Sequence, residues 1–410
     1  MISQDAPGTR DSSPYPRRFC RAPERNRRIA RPLRLITRVK RLDEDLLDQI
    51  GRRLYARDEP GADLVRAMRA DAGTERVTMA QFKKALDEGI DAVREAPPAL
   101  VRFFSLVDQV PPWVDFALIE HGAQLLRRTG RARADVLLQL ALIGGYRFGG
   151  PPELLVATGG LSGSATMRRL GETEAWTYSV MMPGAMRRFG EGFKNTVHVR
   201  AMHALINDRF ETNGRWDSEE WGLPINQTDQ AATLGLFNST LLLGLRALGW
   251  QMSTAESRAV MHLWRYVGWL MGVDEDWLFD TEREQNIFNY HVLMAQDDQT
   301  PAGAELAVSI LEEHTKPDGG KLAKLRAGYE WVRLLGMLRY FLGKESMQGL
   351  HLPVVLPWLV PPIVVRNLVA SLLVARTERG RRLLERTERT QKRMRKLFNG
   401  QREQVAALPT

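Results

Sequence analysis

Between residues 167 and 203 the chain sets polar groups among apolar ones at helical spacing, and two groupings there are of types that do chemistry. Thr196, Arg200 and His203 stand at i, i+4 and i+7, a single helix face. Arg169, Glu172 and Thr173 stand at i, i+3 and i+4, again a single face. A neutral imidazole can give one nitrogen to a metal while its second nitrogen is held by a hydrogen-bonding partner. On that logic His203 is a candidate axial ligand of a haem iron, and Arg169 with Thr173 could hydrogen-bond an oxygen-derived species. The commoner explanations are a hydrogen-bonded core histidine and a solvated Arg–Glu pair that contributes about a few tenths of a kcal/mol.

Glu153, just after Pro151-Pro152, is a third candidate. A desolvated carboxyl has a raised pKa and can serve as a base; a first-turn glutamate favoured by the helix dipole is the more ordinary reading. His198 lies about 140° around the helix from His203, so the two do not easily chelate one ion. No His-Glu-x-x-His pattern occurs, nor a Glu-x-x-His pair of the di-iron kind. Arg246 and Arg265 sit in apolar stretches; buried, they would need anionic partners, of which haem propionates are one kind. Surface exposure is the simpler account of both.

Positioning these groups falls to helices. Asp43 can cap a helix over 44–55, and Thr78–Gln81 is a capping-box pattern before a helix over 82–94. Further helices are expected over 113–128, 132–144, 162–209 with a break at Pro183-Gly184, and 229–250. A second capping box, Ser253–Glu256, opens 257–273, and helices follow over 275–294, 302–314, 321–342 and 366–397. Period-2 alternation is nearly absent, so the chain reads as all-α, a single large helical domain.

The formal net charge of +9 belongs to the ends. Residues 1–41 carry +9 and 376–410 carry +7, whereas 42–375 carry −7. This divides the chain into a basic leader over 1–41, disordered to about Pro32, a helical body over 42–375, and a basic C-terminal helix and tail over 376–410. No nucleic-acid-binding signature accompanies the charge; basic tails attract polyanions, anionic lipid included. Cys20 is the only cysteine, which excludes an intramolecular disulfide and cysteine-ligated zinc or iron–sulfur sites. Arg17-Arg18 is followed by no apolar run, so no export signal is expected and the location expected is cytoplasmic. Residues 346–365 are uncharged and long enough to cross a bilayer, but Pro353, Pro357, Pro361 and Pro362 would break a spanning helix. A buried, irregular packing arm is the first reading of that segment, and a hydrophobic surface touching membrane or a greasy substrate is the second.

Taken together, Arg169-x-x-Glu-Thr173, Val199-Arg-x-x-His-Ala204 and His262-x-Trp-Arg-x-x-Gly268-x-x-x-Gly-Val-Asp274 resemble the rubber-oxygenase catalytic domain. That family includes the latex clearing proteins and the ER-bound oxygenase of mycophenolic acid biosynthesis. The resemblance covers about residues 95–345. It implies an all-α body with a globin-like core holding haem b, with His203 as proximal ligand and Arg200 one turn before it. It also implies Thr173 and Arg169 on the distal side, Glu153 as catalytic base, and oxidative cleavage of isoprenoid double bonds with dioxygen. One departure is evident: Glu172 stands where latex clearing proteins have lysine, which would invert the local field unless the side chain points away. The expected substrate is a smaller isoprenoid or unsaturated lipid-like molecule. A non-catalytic haem- or lipid-binding protein is the alternative, and a helical protein that binds membrane peripherally and carries no cofactor is a third.

Overall fold

The computed structural model of the chain describes residues 13–71, 73, 75–159, 163–317 and 322–385. Among these residues there are helices and connecting segments and no strand, as the sequence pattern predicts. The helix Thr254–Leu270 runs through the middle, with Val260, Met261, Leu263, Trp264, Val267 and Leu270 all buried. A helix apolar on nearly every side has to be surrounded by others. The main core cluster reaches from Ile50 to Ile363, and a second runs from Leu138 to Leu352. Leu140 and Phe341 pack against both, so the two clusters form one continuous interior.

Local signals set several helix starts. Asp43 accepts from the Leu46 amide, and both capping boxes, Thr78 with Gln81 and Ser253 with Glu256, are formed. The expected helix over 82–94 ends early, at Glu88, because Gly89 takes φ 98°. The expected 229–250 helix is two, Gln227–Phe237 and Ser239–Ala247, parted at Asn238. The 162–209 region resolves into Gly163–Val180 and Glu191–Thr212, broken around Pro183-Gly184; Ser162 itself lies outside the described residues.

Three expectations are corrected. The leader is not disordered from residue 13 onward. Pro23–Thr37 is a helix packed on Glu282–Ala295, with Ala30 buried against Tyr290 and Met294 and the buried Asn26 donating to the Gln296 carbonyl at 2.7 Å. Arg18, also buried, pairs with Asp229 at 2.5 Å. Pro32 inside that helix and its many arginines hide it from a periodicity reading. Next, the C-terminal helix expected over 366–397 begins earlier, as Val360–Leu372, because Pro361 and Pro362 fall in its first turn, where a missing N–H costs nothing. A separate helix, Glu378–Leu384, follows, and 386–410 lie outside the described residues. Last, much of 346–365 is not buried, as taken up below. No helix among the described residues is long and apolar enough to cross a membrane.

Phe116–Thr129 lies against the central helix at Gly122, where a Cβ would stand 2.3 Å from the Ala259 carbonyl oxygen. Alanine in a helix is ordinarily favoured over glycine, but here it meets backbone that cannot rotate away. Gly122→Ala is therefore expected to destabilise the fold by about 1–3 kcal/mol in chemical denaturation; a gain in stability would contradict this packing.

Candidate functional site

Gly163–Val180 and Glu191–Thr212 run antiparallel. The Trp176 indole N–H donates to Thr196 Oγ1 at 3.1 Å, Asn195 donates to Ser179 Oγ at 3.0 Å, and Gly192 comes so near that a Cβ would lie 2.8 Å from Val180 Cα. On the first helix Arg169, Thr173, Trp176 and Val180 share one face; on the second Gly192, Thr196, Val199 and His203 share one. Continuing the register from the Trp176–Thr196 pair puts Thr173 at the level of Val199, and Arg169 at the level of His203. At the joined end the contact is sealed, with Trp176 resting on Phe237 and Trp264. Toward the other end it is not: Thr173 is exposed, and Val199, His203 and Ile206 are only half-buried. The contact is thus less closed to solvent at the level where the candidate groups stand.

His203 is held in a specific state. Its Nδ1 is buried with no hydrogen-bond partner, and the Gln230 side chain bonds to the ring. Burial outweighs that bond and the nearby Asp58 charge, and pushes the imidazole pKa down to about 4. The ring is therefore neutral across the physiological range, which is the form that ligates metals. On the flank of His203 away from Gly163–Val180 lies a cavity of about 210 Å³ with mixed lining, Asp58, Arg66, Arg200, Asn207, Gln230 and Met271 among others. It is smaller than the roughly 300–1,000 Å³ of sites for drug-sized ligands.

Arg200 is engaged elsewhere. Asp58 takes its guanidinium in a two-pronged bond at 2.6 and 2.7 Å, the Leu270 carbonyl accepts at 3.4 Å, and the charge lies over the Phe103 ring. Gly272, at φ 79°, closes over the pair: a Cβ would stand 2.6 Å from Asp58 Cγ and 2.8 Å from Arg200 Nε. Gly268 is pressed by Leu234 and Leu278. The glycines of the Gly268-x-x-x-Gly272 motif thus serve close packing beneath the His203 helix.

The remaining candidates divide. Arg169 Nη2 donates to both the carbonyl and the hydroxyl of Thr158, at 3.0 and 2.8 Å, which ties its helix to the end of Pro151–Ala157. Burial lowers its pKa, opposed by Glu172 and Tyr146. Glu153 is half-buried and accepts from the Gly150 amide at 2.5 Å, capping its own helix. Glu172 accepts from Arg168 at 3.1 Å, so its charge is matched along the outer side of the helix. Pro301–His314 packs against both the Glu153 and Arg169 helices and brings them together. His262 is a satisfied core histidine whose Nε2 accepts from the Asp115 amide at 2.9 Å. Arg246 pairs with Glu282, and Arg265 with Asp280, so their anionic partners are protein carboxylates and not cofactor groups. Among the described residues no group of three or more His, Cys, Asp or Glu converges as ion ligands. Asp58 and Gln230 were not singled out by the sequence; the only hint was the polar island 224–233 that holds Gln230.

Two outcomes test this geometry. Arg200→Ala leaves Asp58 buried without its partner and is expected to lower unfolding free energy by about 3–5 kcal/mol; an unchanged denaturation midpoint would contradict the clamp. For His203 the folded pKa lies below the unfolded value near 6.5. The folded state therefore binds fewer protons, and stability is full above pH 6.5 and falls as pH drops toward 4, by about 3 kcal/mol in all. Stability measured against pH is expected to be flatter over that window in His203→Leu; identical slopes would remove the burial argument.

A family model described as "ER-bound oxygenase mpaB/B'/Rubber oxygenase, catalytic domain" matches residues 127–402. A protein named rubber oxygenase, from Streptomyces sp. (strain K30), is 25% identical over 252 residues, 61% of this chain and 59% of that protein. The chain thus spans about three fifths of the length of that relative. A solved structure of latex clearing protein LCP in the closed state superposes with a TM-score of 0.58 at 22% identity, covering 81% of this chain and 90% of that one. The likeness in structure carries the fold. Because the family model extends over more than half of its residues, this chain belongs to the family of ER-bound oxygenase mpaB/B' and rubber oxygenase catalytic domains.

Proposed function

We propose that this chain is a haem b-dependent oxygenase with a globin-like core, acting with dioxygen on an apolar alkene such as an isoprenoid or an unsaturated lipid. The observation that supports this most is the state of His203: neutral, with Nδ1 buried and unpartnered and the ring oriented by Gln230. Those features fit a residue that would hold the iron of a haem through an imidazole nitrogen. Haem bound there would supply the dioxygen activation.

The chain's own groups act around it. Arg169, braced by Thr158, sets a cation at the level of His203 on the opposing helix. The Thr173 hydroxyl, exposed at the less closed end of the helix pair, is free to orient toward a bound oxygen species or substrate. Glu153 uses Oε2 to cap its helix at Gly150, and a carboxylate has further lone pairs to accept an allylic proton from substrate. The matched Glu172 does not set a bare negative charge there. The aromatic cluster of Trp176, Phe237 and Trp264 gives the closed end an apolar wall that excludes water and suits a hydrocarbon chain.

Freshly purified protein is expected to carry about one haem per chain and to consume oxygen with members of an isoprenoid and unsaturated-lipid panel. Glu153→Gln is expected to keep its haem and lose about 10²–10⁴-fold in kcat. Colourless protein that takes up no added haem would end this reading. Bound haem without oxygen uptake on any panel member would favour the non-catalytic binding protein instead.

A further inference from the structure

Val360–Leu372 is apolar on both sides. Val360 and Ile363 are buried in the core, and the uncharged polar groups also face the protein: Asn367 is buried and donates to the Leu248 carbonyl at 2.9 Å, and the Ser371 hydroxyl bonds the Gly249 carbonyl at 3.4 Å. The large apolar side chains turned to solvent are Val365, Leu368, Val369 and Leu372, on the i, i+3, i+4, i+7 stripe that a soluble helix makes polar. The approach to the helix continues the pattern. Leu356 is 58% exposed and Trp358 73%, and beyond the helix Leu373 is 62% exposed. Of the nineteen large apolar side chains exposed among the described residues, eight lie within 354–373. Scattered exposure of this kind needs no explanation, but a contiguous patch does.

Charge selects the occupant. From 346 to 377 the chain has no aspartate or glutamate, while Arg366 and Arg376 are exposed. The following 376–410 segment carries 11 basic and 4 acidic residues. A helix of 13 residues is too short to span a bilayer. Apolar groups with a tryptophan at their edge and arginines at their flanks suit the interface of an anionic bilayer, where the helix lies in the surface plane. The geometry points to a lipid-docking face formed by 354–373: we infer that this helix and its leading segment seat the protein on anionic membrane, with the basic segment after it adding electrostatic attraction. This inference stands independently of the oxygenase reading, and it gives an apolar substrate a phase from which to arrive.

The test uses the full chain and co-sedimentation with vesicles of phosphatidylcholine alone and of equimolar phosphatidylcholine and phosphatidylserine. Wild-type protein is expected to pellet with the mixed vesicles, and raised salt is expected to weaken this binding without abolishing it. Val369→Asp combined with Leu372→Asp is expected to lower partitioning at least about tenfold with no change in melting temperature, since both side chains are exposed. Trp358→Ser, outside the helix, gives an independent check in the same direction. Variants that pellet like wild type would assign binding to the basic segment alone and overturn the inference. So would wild-type protein that stays in the supernatant with both compositions. A wild-type dimer that the double variant converts to monomer, with no lipid binding, would show instead that the face joins two copies of the chain.

Discussion

The two-pronged bond between Asp58 and Arg200 is the constraint beneath the site. Both groups are buried, so neither can lose the other without leaving a charge in a poorly solvated interior. The pair joins the Glu59–Arg69 helix to the His203 helix across 142 residues of sequence, and the Leu270 carbonyl adds the central helix. Gly272 lets the turn after that helix close over the pair. With three elements locked at one turn before His203, the imidazole has a fixed platform. Its own burial then selects the neutral ring, against the Gln230 bond and the Asp58 charge.

This arrangement separates holding from reacting. Arg200, Asp58, Gly268 and Gly272 hold the helices, whereas His203, Arg169 and Thr173 are the groups proposed to react, at the less closed end of the helix pair. The closed end is sealed by tryptophan and phenylalanine. Glu172 is matched by Arg168, while Arg169 is tied to Thr158.

Helix content, capping boxes and the shared face of Thr196, Arg200 and His203 could be read from sequence because they depend on spacing within one helix. The role of Arg200 could not. Its partner lies far upstream, and spacing shows which face a side chain occupies but not what meets it. Arg246 and Arg265 teach the same lesson, their carboxylate partners Glu282 and Asp280 lying in a later segment. The Pro23–Thr37 helix was missed for a different reason: its burial rests on small and polar groups, Ala30 and Asn26, rather than on an apolar stripe. Residues 354–373 show the limit from the other side. Their apolarity was plain, but spacing did not show that part of it is buried, at Val360 and Ile363, while Val365, Leu368, Val369 and Leu372 are left outside.

The claim that matters most is a bond from the His203 imidazole to a porphyrin iron, and ligand rescue tests it directly. In His203→Gly the absorption band of bound haem is expected to shift and weaken, and added imidazole is expected to restore the wild-type spectrum by occupying the vacated position. A variant whose spectrum matches wild type before any imidazole is added would contradict the assignment.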